Sequence, residues 1–281
     1  MYADDAKIYQ VRDVNEDNAD GLQRDLTSLY LWCQEWQLRI NGSKCSLLRL
    51  GWNAQAAGTY SIGQNVLATE DCVKDLGVWI SGKLTFSEHC AKVSCNASKR
   101  IGLIYRAFSS RDIEFMRNMF ITYVRPLLEY NCEIWSPLYL RDIDLIENIQ
   151  RRFLKRISGI SNFSYRERLE MCSLEPLELR RLKKDIVLVY KIMNGMIALD
   201  FDEFFRFAPD VGTRGNGRKL YPLIVRRNVV VNYFCNRVIN VWNSLPREVV
   251  TAPTLNILKK RLNQMENLLV PFLRGRAFRN P

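Results

Sequence analysis

MYADDAKIY (residues 1–9) sets two acids side by side, Asp4 and Asp5, between short apolar stretches. The pattern reads as a β-hairpin. Met1–Ala3 close one strand, Asp4-Asp5 make the turn, and Ala6–Val11 return with Ile8 and Tyr9. Aspartates suit turns because their side chains bond nearby backbone amides. Adjacent carboxylates on a tight turn also suit a divalent cation, since Mg²⁺ takes oxygen ligands and binds through one or two carboxylates plus substrate phosphates. A two-metal site needs a further carboxylate to bridge the ions. At this point a plain turn and a metal-holding turn both stand.

Outward from the hairpin, residues 15–40 place Leu22, Leu26, Leu29, Cys33 and Trp36 at spacings of four, three, four and three. That is one face of an amphipathic helix packed on a sheet. A glycine-containing turn follows, and Cys45–Leu50 reads as a strand. Between Tyr60 and Ser81 more strands are expected, with Gly63-Gln64-Asn65 turning one hairpin and Val73–Ile80 carrying a further strand around Gly77.

After Gly82 the period becomes helical. Residues 87–108 align Val93, Ala97, Ile101, Ile104 and Phe108, and residues 112–130 align Met116, Phe120 and Val124. Pro126 should kink or end that second helix. Residues 139–157 turn Ile143, Ile146, Ile149, Phe153 and Ile157 inward and crowd Arg151, Arg152, Lys155 and Arg156 into the C-terminal half, where cations suit the helix dipole. Residues 176–194 carry a second basic cluster, Arg180, Arg181, Lys183 and Lys184. Residues 210–222 are glycine-rich and basic, so they read as a loop. Thr254 caps a last helix through about Leu269, and the tail from Arg274 is expected to fray. In outline, an αβ part of about 80 residues precedes about 200 residues of basic, mostly helical chain.

Composition narrows the class. The 281 residues are 47% hydrophobic, enough for a substantial core. The eight cysteines show no C-x-x-C, and the single histidine, His89, rules against zinc spacing. The thiols read as reduced core residues, the start lacks the basic region of a signal peptide, and no apolar run is long enough for a membrane span. A soluble intracellular protein of nucleus or cytoplasm is expected. The net charge is +11, yet residues 1–100 hold 11 Lys/Arg against 12 Asp/Glu, so the whole excess lies downstream. An excess so one-sided points to a polyanionic partner, because a cation meeting a phosphate releases counterions. His89, near a helix start, reads as a surface or capping residue. Most of the six tryptophans read as core, with Trp52 and Trp135 as weaker candidates for base stacking.

Tyr2-Ala3-Asp4-Asp5 on a hairpin turn resembles the Y/F-x-D-D box of reverse transcriptases, and the later elements agree in order. WCQEWQLRIN (32–41) and GSKC (42–45) resemble the next palm motif, with Lys44 at its lysine. VKDLGVWIS (73–81) resembles the strand with LGV that helps hold the primer end. FITYVRPLLEYNCEIWSP (120–137), IENIQRRFLKRI (146–157) and RVINVWNSLPREVV (237–250) look like the C-terminal region of non-LTR retrotransposon polymerases of the jockey type. The resemblance runs to about Leu269. Each motif alone is weak; their order makes the match specific.

The resemblance implies an α+β fold: an incomplete reverse-transcriptase palm over residues 1–83, a helical thumb-like domain over 84–160 and a basic helical C-terminal extension over 161–281. It implies Asp4 as a ligand of catalytic Mg²⁺, with Asp5 beside the primer terminus and less surely a ligand. Lys44 is then a general acid to the departing pyrophosphate, or else a solvent-facing turn lysine. Leu76, Gly77 and Val78 are primer-grip-like, or else a buried strand. The partners are an RNA template and a DNA primer. An A-form-like hybrid is held through phosphates and shape, which suits the basic clusters at Arg151, Arg152, Lys155 and Arg156 and at Arg180, Arg181, Lys183 and Lys184.

One departure from the family pattern matters. In such polymerases the fingers and the first catalytic aspartate precede the Y-x-D-D box, and here only Met1 does. The chain therefore reads as a downstream portion, expected to be inactive alone. The alternatives are a non-catalytic module that binds RNA or DNA, or a relic of a mobile element.

Overall fold

The computed structural model describes residues 5–11, 20–51, 58–209, 217–222 and 233–275. The chain divides into two units, Met1–Leu84 and Thr85–Pro281, and the fold is of mixed α+β class.

In the first unit, α1 (Asp20–Glu35) buries Leu26 and Cys33. Leu26 joins Tyr60, Ile62 and Leu67 in a small core, with Leu22 and Leu29 packed at its edge. Three two-stranded ladders surround this core: β1 (Ser46–Leu48) parallel to β4 (Ala68–Glu70), β2 (Ser61–Ile62) antiparallel to β3 (Asn65–Val66), and β5 (Cys72–Asp75) antiparallel to β6 (Val78–Ser81). Helix and sheet are stitched by one amide: Gln23 Nε2 donates to the Ser61 carbonyl and Gln23 Oε1 accepts the Ser61 N–H, both at 2.9 Å.

Three expectations change here. Trp36 was placed on the inward helical face, but α1 stops at Glu35. Gln37 adopts φ 56° and the Leu38 N–H bonds the Cys33 carbonyl, which closes the helix and leaves Trp36 exposed. The stretch around Gly77 is a hairpin instead of one strand. Asp75 pairs with Val78 across a two-residue turn in which Leu76 (φ 43°) and Gly77 (φ 88°) both take the left-handed conformation. That is the primed turn whose twist matches paired strands. Finally, Ala6–Val11 form no strand. Asp5 makes an isolated bridge, and no ladder among the described residues takes in 6–11, so Tyr9 and Val11 stand exposed.

The second unit is helical among its described residues, apart from a bridge between Phe207 and Leu220. Helix α2 (Ser87–Ala107) lies along α6 (Leu140–Lys155). Ser87 Oγ donates to Asp142 at one end, and Tyr105 Oη donates to the Phe153 carbonyl at the other. Helix α3 (Ile113–Met119) runs through one π turn, Phe120–Val124, into α4 (Arg125–Glu129). Pro126 lacks an N–H, and the wider turn just before it, closed by Arg125 N–H to the Phe120 carbonyl, lets the helix continue to Glu129. A short α5 (Cys132–Trp135) follows. Phe108 falls past the end of α2 in extended backbone, so it is partly exposed, unlike the rest of its expected face.

Helix α7 (Tyr165–Met171) begins with a capping box between Ser164 and Glu167. Helix α8 (Leu177–Met193) is the hub, packed by α5, by α6, by α10 (Phe234–Ser244) and by α12 (Leu255–Gln264), with α9 (Phe201–Phe204) and α11 (Arg247–Val250) between them in sequence. Ile186, Val189 and Tyr190 on α8 join Val238, Trp242, Leu258 and Leu262 in the larger core. Pro176 offers no side-chain cap to α8. Glu147 of α6 does so instead, accepting the N–H groups of Leu177 and Glu178 at 3.2 and 3.3 Å and the Tyr165 hydroxyl at 2.5 Å.

Candidate nucleic-acid interface and carboxylate hairpin

Asp4 and Trp52 lie outside the described residues. Asp5 is exposed on its isolated bridge. Lys44 ends a single 3₁₀ turn, Gly42–Lys44, and is exposed. Leu76 and Gly77 form the exposed tip of the β5–β6 hairpin, while Val78 behind them is buried at 3%. Lys7 reaches the base of that hairpin through a 2.5 Å ion pair with Asp75. A carboxylate is the right kind of donor for Mg²⁺. Even so, no group of three His, Cys, Asp or Glu that could hold a metal occurs among the described residues, so those residues do not complete a metal cage.

The two basic clusters part company. On α6, Arg152, Lys155 and Arg156 are exposed. Arg151 is half-buried, bonded to Asn148 Oδ1 at 2.9 Å and set over the Tyr165 ring at 4.9 Å. Arg156 lies 3.7 Å from the centre of the Tyr105 ring, and Arg111 lies 4.8 Å from the same ring. Arg111 is further pinned through the Phe108, Ser110 and Tyr105 carbonyls. An aromatic anchor with two guanidinium groups makes part of this cluster fixed, where a bare lysine run would wander.

On α8 the cluster turns inward. Arg180 forms a two-point pair with Glu129 and Lys184 adds its charge there, at 3.0 Å to the Glu129 carbonyl and 3.5 Å to its carboxylate. Burial pushes the Glu129 carboxyl up, but the Arg180 hydrogen bond and the charges of Arg180 and Lys184 outweigh it, and the net shift is down. Lys183 is buried and reaches Glu175, Glu266 and Asn263 at 2.6, 2.7 and 3.0 Å. Arg181 is 2% exposed. Beside them Asp185 takes a two-point pair from Arg237 at 2.8 Å, and burial still raises its carboxyl. Of the eight basic residues singled out from the sequence, the structure thus presents Arg152, Lys155 and Arg156 most openly to a partner. Sequence reasoning missed Tyr105 and Arg111, since their meeting with Arg156 joins α2 to the end of α6 across 45 residues or more.

His89, expected at the surface, is 1% exposed and packs on Trp135 at 4.6 Å between ring centres. Burial lowers its pKa to about 4. Trp135 is fully buried, with its indole N–H bonded to the Tyr130 carbonyl, which removes it from base stacking. No helix among the described residues is long and apolar enough to cross a membrane.

Comparison with known proteins settles the kinship. A 165-residue match is 26% identical to the probable RNA-directed DNA polymerase from transposon X-element of Drosophila melanogaster, covering 58% of this chain and 18% of that protein. A 161-residue match is 23% identical to the RNA-directed DNA polymerase from mobile element jockey of the same fly, covering 56% and 18%. The chain is related to the reverse transcriptases of jockey-type retrotransposons. An uncharacterised protein of Caenorhabditis elegans is 28% identical over 126 residues, 44% of this chain and 64% of that protein. The matches thus span less than a fifth of each polymerase and less than two thirds of the nematode protein. No family model matches the chain, and neither does any solved structure.

Proposed function

We propose that these 281 residues serve a retrotransposon reverse transcriptase as the later part of its palm, its thumb and a basic extension. The kinship with the X-element and jockey polymerases carries this reading. In it, Asp4 and Asp5 are two of the carboxylates of the polymerase centre, and Mg²⁺ bound there would supply the charge that polymerases use on phosphates. Lys44 donates a proton to the leaving pyrophosphate. Leu76 and Gly77, on a rigid primed turn with Val78 anchored beneath, bear on the primer end. Arg152, Lys155 and Arg156 meet phosphates of an RNA–DNA hybrid, with Arg156 held by Tyr105.

Two carboxylates are too few for a two-ion site, so the 281 residues by themselves are expected not to polymerise. The test is primer extension with the purified chain on a primed RNA template, run beside hybrid binding followed by fluorescence anisotropy. The expected result is no extension and clear binding. Three contacted phosphates should cost roughly fortyfold in affinity between 50 and 200 mM salt. Extension by the chain alone would overturn the incompleteness. Absence of hybrid binding at 50 mM salt would overturn the interface and leave only the kinship.

A further inference from the structure

A cavity of about 170 Å³ opens within the helical unit, between α6, α8, α10 and the segment that follows Leu269. Ile143, Leu182 and Val241 form its apolar wall, and Ser136 and Asn240 add polar groups nearer the surface. Five charged residues also line it: Arg181, Arg237, Arg274, Glu178 and Asp185.

Four of these five are already engaged. Both Asp185 oxygens receive Arg237, which also donates to the Glu133 carbonyl at 2.6 Å. Both Glu178 oxygens receive backbone N–H groups, of Arg274 at 2.7 Å and Gly275 at 2.9 Å. Arg274 donates to the Leu138 carbonyl at 2.9 Å. Arg181 is the exception. Its side chain is closed off from solvent, and neither Nη1 nor Nη2 has a hydrogen-bond partner among the described residues. The carboxylates in its field, Asp185 and Glu147, spend their oxygens elsewhere, on Arg237 and on Tyr165 with the α8 amides. A guanidinium keeps its charge at any ordinary pH and presents paired donors suited to an oxyanion. A buried charge without acceptors is costly, so its neighbourhood should supply some. The cavity has room for a phosphate group, being the volume of about five to six waters.

We propose that this cavity binds a phosphate group, with Arg181 as its principal donor and Ser136 and Asn240 as secondary ones. This site is separate from the α6 surface, and neither proposal depends on the other.

The experiment is calorimetric titration of the full chain with inorganic phosphate, repeated with a nucleoside monophosphate. Saturable one-site binding of phosphate is expected. Arg181→Met should weaken it at least about tenfold, the usual scale for charge-assisted hydrogen bonds. Binding of the monophosphate but not of phosphate would assign the site to a phosphoester. The chain carries +11, so the triple variant Arg152→Ala, Lys155→Ala, Arg156→Ala is the control for surface binding and should titrate like the parent. Arg181→Met should also melt no lower than the parent in phosphate-free buffer, since it removes an unmatched buried charge. Asn240→Trp, an exposed change at the cavity mouth, blocks the site without touching the core, should Arg181→Met fail to fold. The proposal is overturned by absence of saturable binding of either probe, by unchanged affinity in Arg181→Met or Asn240→Trp, or by an Arg181→Met melting point well below the parent's without phosphate.

Discussion

Two basic clusters of similar composition, RRFLKR on α6 and RRLKK on α8, meet opposite fates. On α6 the cations follow the last inward residues Phe153 and Leu154 and lie at the end of the helix, so three of them reach solvent. On α8 they sit in the first half of a helix packed on several sides. There they meet Glu129, Glu175 and Glu266, carboxylates from three other segments. A run of Lys and Arg therefore does not by itself define a nucleic-acid surface. What decides is whether acids from elsewhere in the chain arrive to neutralise it.

The inward region should fail through stability. The largest effect is expected at Arg237, whose side chain is 15% exposed and whose partner Asp185 is 4% exposed. Arg237→Met leaves that carboxylate buried without its cation, which costs about 3–5 kcal/mol in urea denaturation. Adding Asp185→Leu should recover most of the loss, because an apolar pair of similar volume often replaces a buried ion pair at little cost. If the single and double variants are equally unstable, the pair is not what holds α8 to α10.

Next in size is a pH effect from the same packed region, at His89 against Trp135. The folded imidazole titrates at about 4, well below its ordinary value of 6.5. Between those values the unfolded chain binds a proton that the folded chain refuses, so stability falls as pH falls. From pH 7 to pH 5 the loss should be about 2 kcal/mol. His89→Gln should flatten that part of the profile; a parent chain equally stable at pH 7 and pH 5 would place the ring in water.

Lys183 comes third. Lys183→Met strands Glu175 and Glu266, but these are 27% and 41% exposed and can recover water. About 1–2 kcal/mol is expected from thermal or urea melts. A loss as large as that of Arg237→Met would mean that the network acts as one unit.

Periodicity made the helices legible: Ile143, Ile146, Ile149 and Phe153 are buried at the spacing that announced them. Leu22, Leu26, Leu29 and Cys33 mark α1 in the same way. Local pattern could not show what a residue meets from far along the chain. Glu147 caps a helix 30 residues away, and Lys183 meets Glu266 across 83. Nor could it show that Trp36 falls one residue past a helix end, since Gln37 took the left-handed position usually given to glycine. At the candidate site the order of motifs made the kinship readable. Asp4 lies outside the described residues, so the geometry of the acid pair is not part of that reading.

The smallest stability effect belongs to the outward cluster, and it sharpens the contrast most. Arg152→Ala, Lys155→Ala and Arg156→Ala change exposed side chains, so each should shift stability by no more than about 0.5 kcal/mol. Arg156 sits at the upper end, because it gives up its contact with the Tyr105 ring. If the three meet phosphates, the slope of log affinity against log salt for an RNA–DNA hybrid should become shallower by about 0.7–0.9 for each residue removed. Lys183→Met should leave that slope unchanged, since its cation is spent on Glu175 and Glu266. The comparison breaks if the salt slope responds to Lys183 and not to Arg152, Lys155 and Arg156, for then the buried cluster would be the one that faces the nucleic acid.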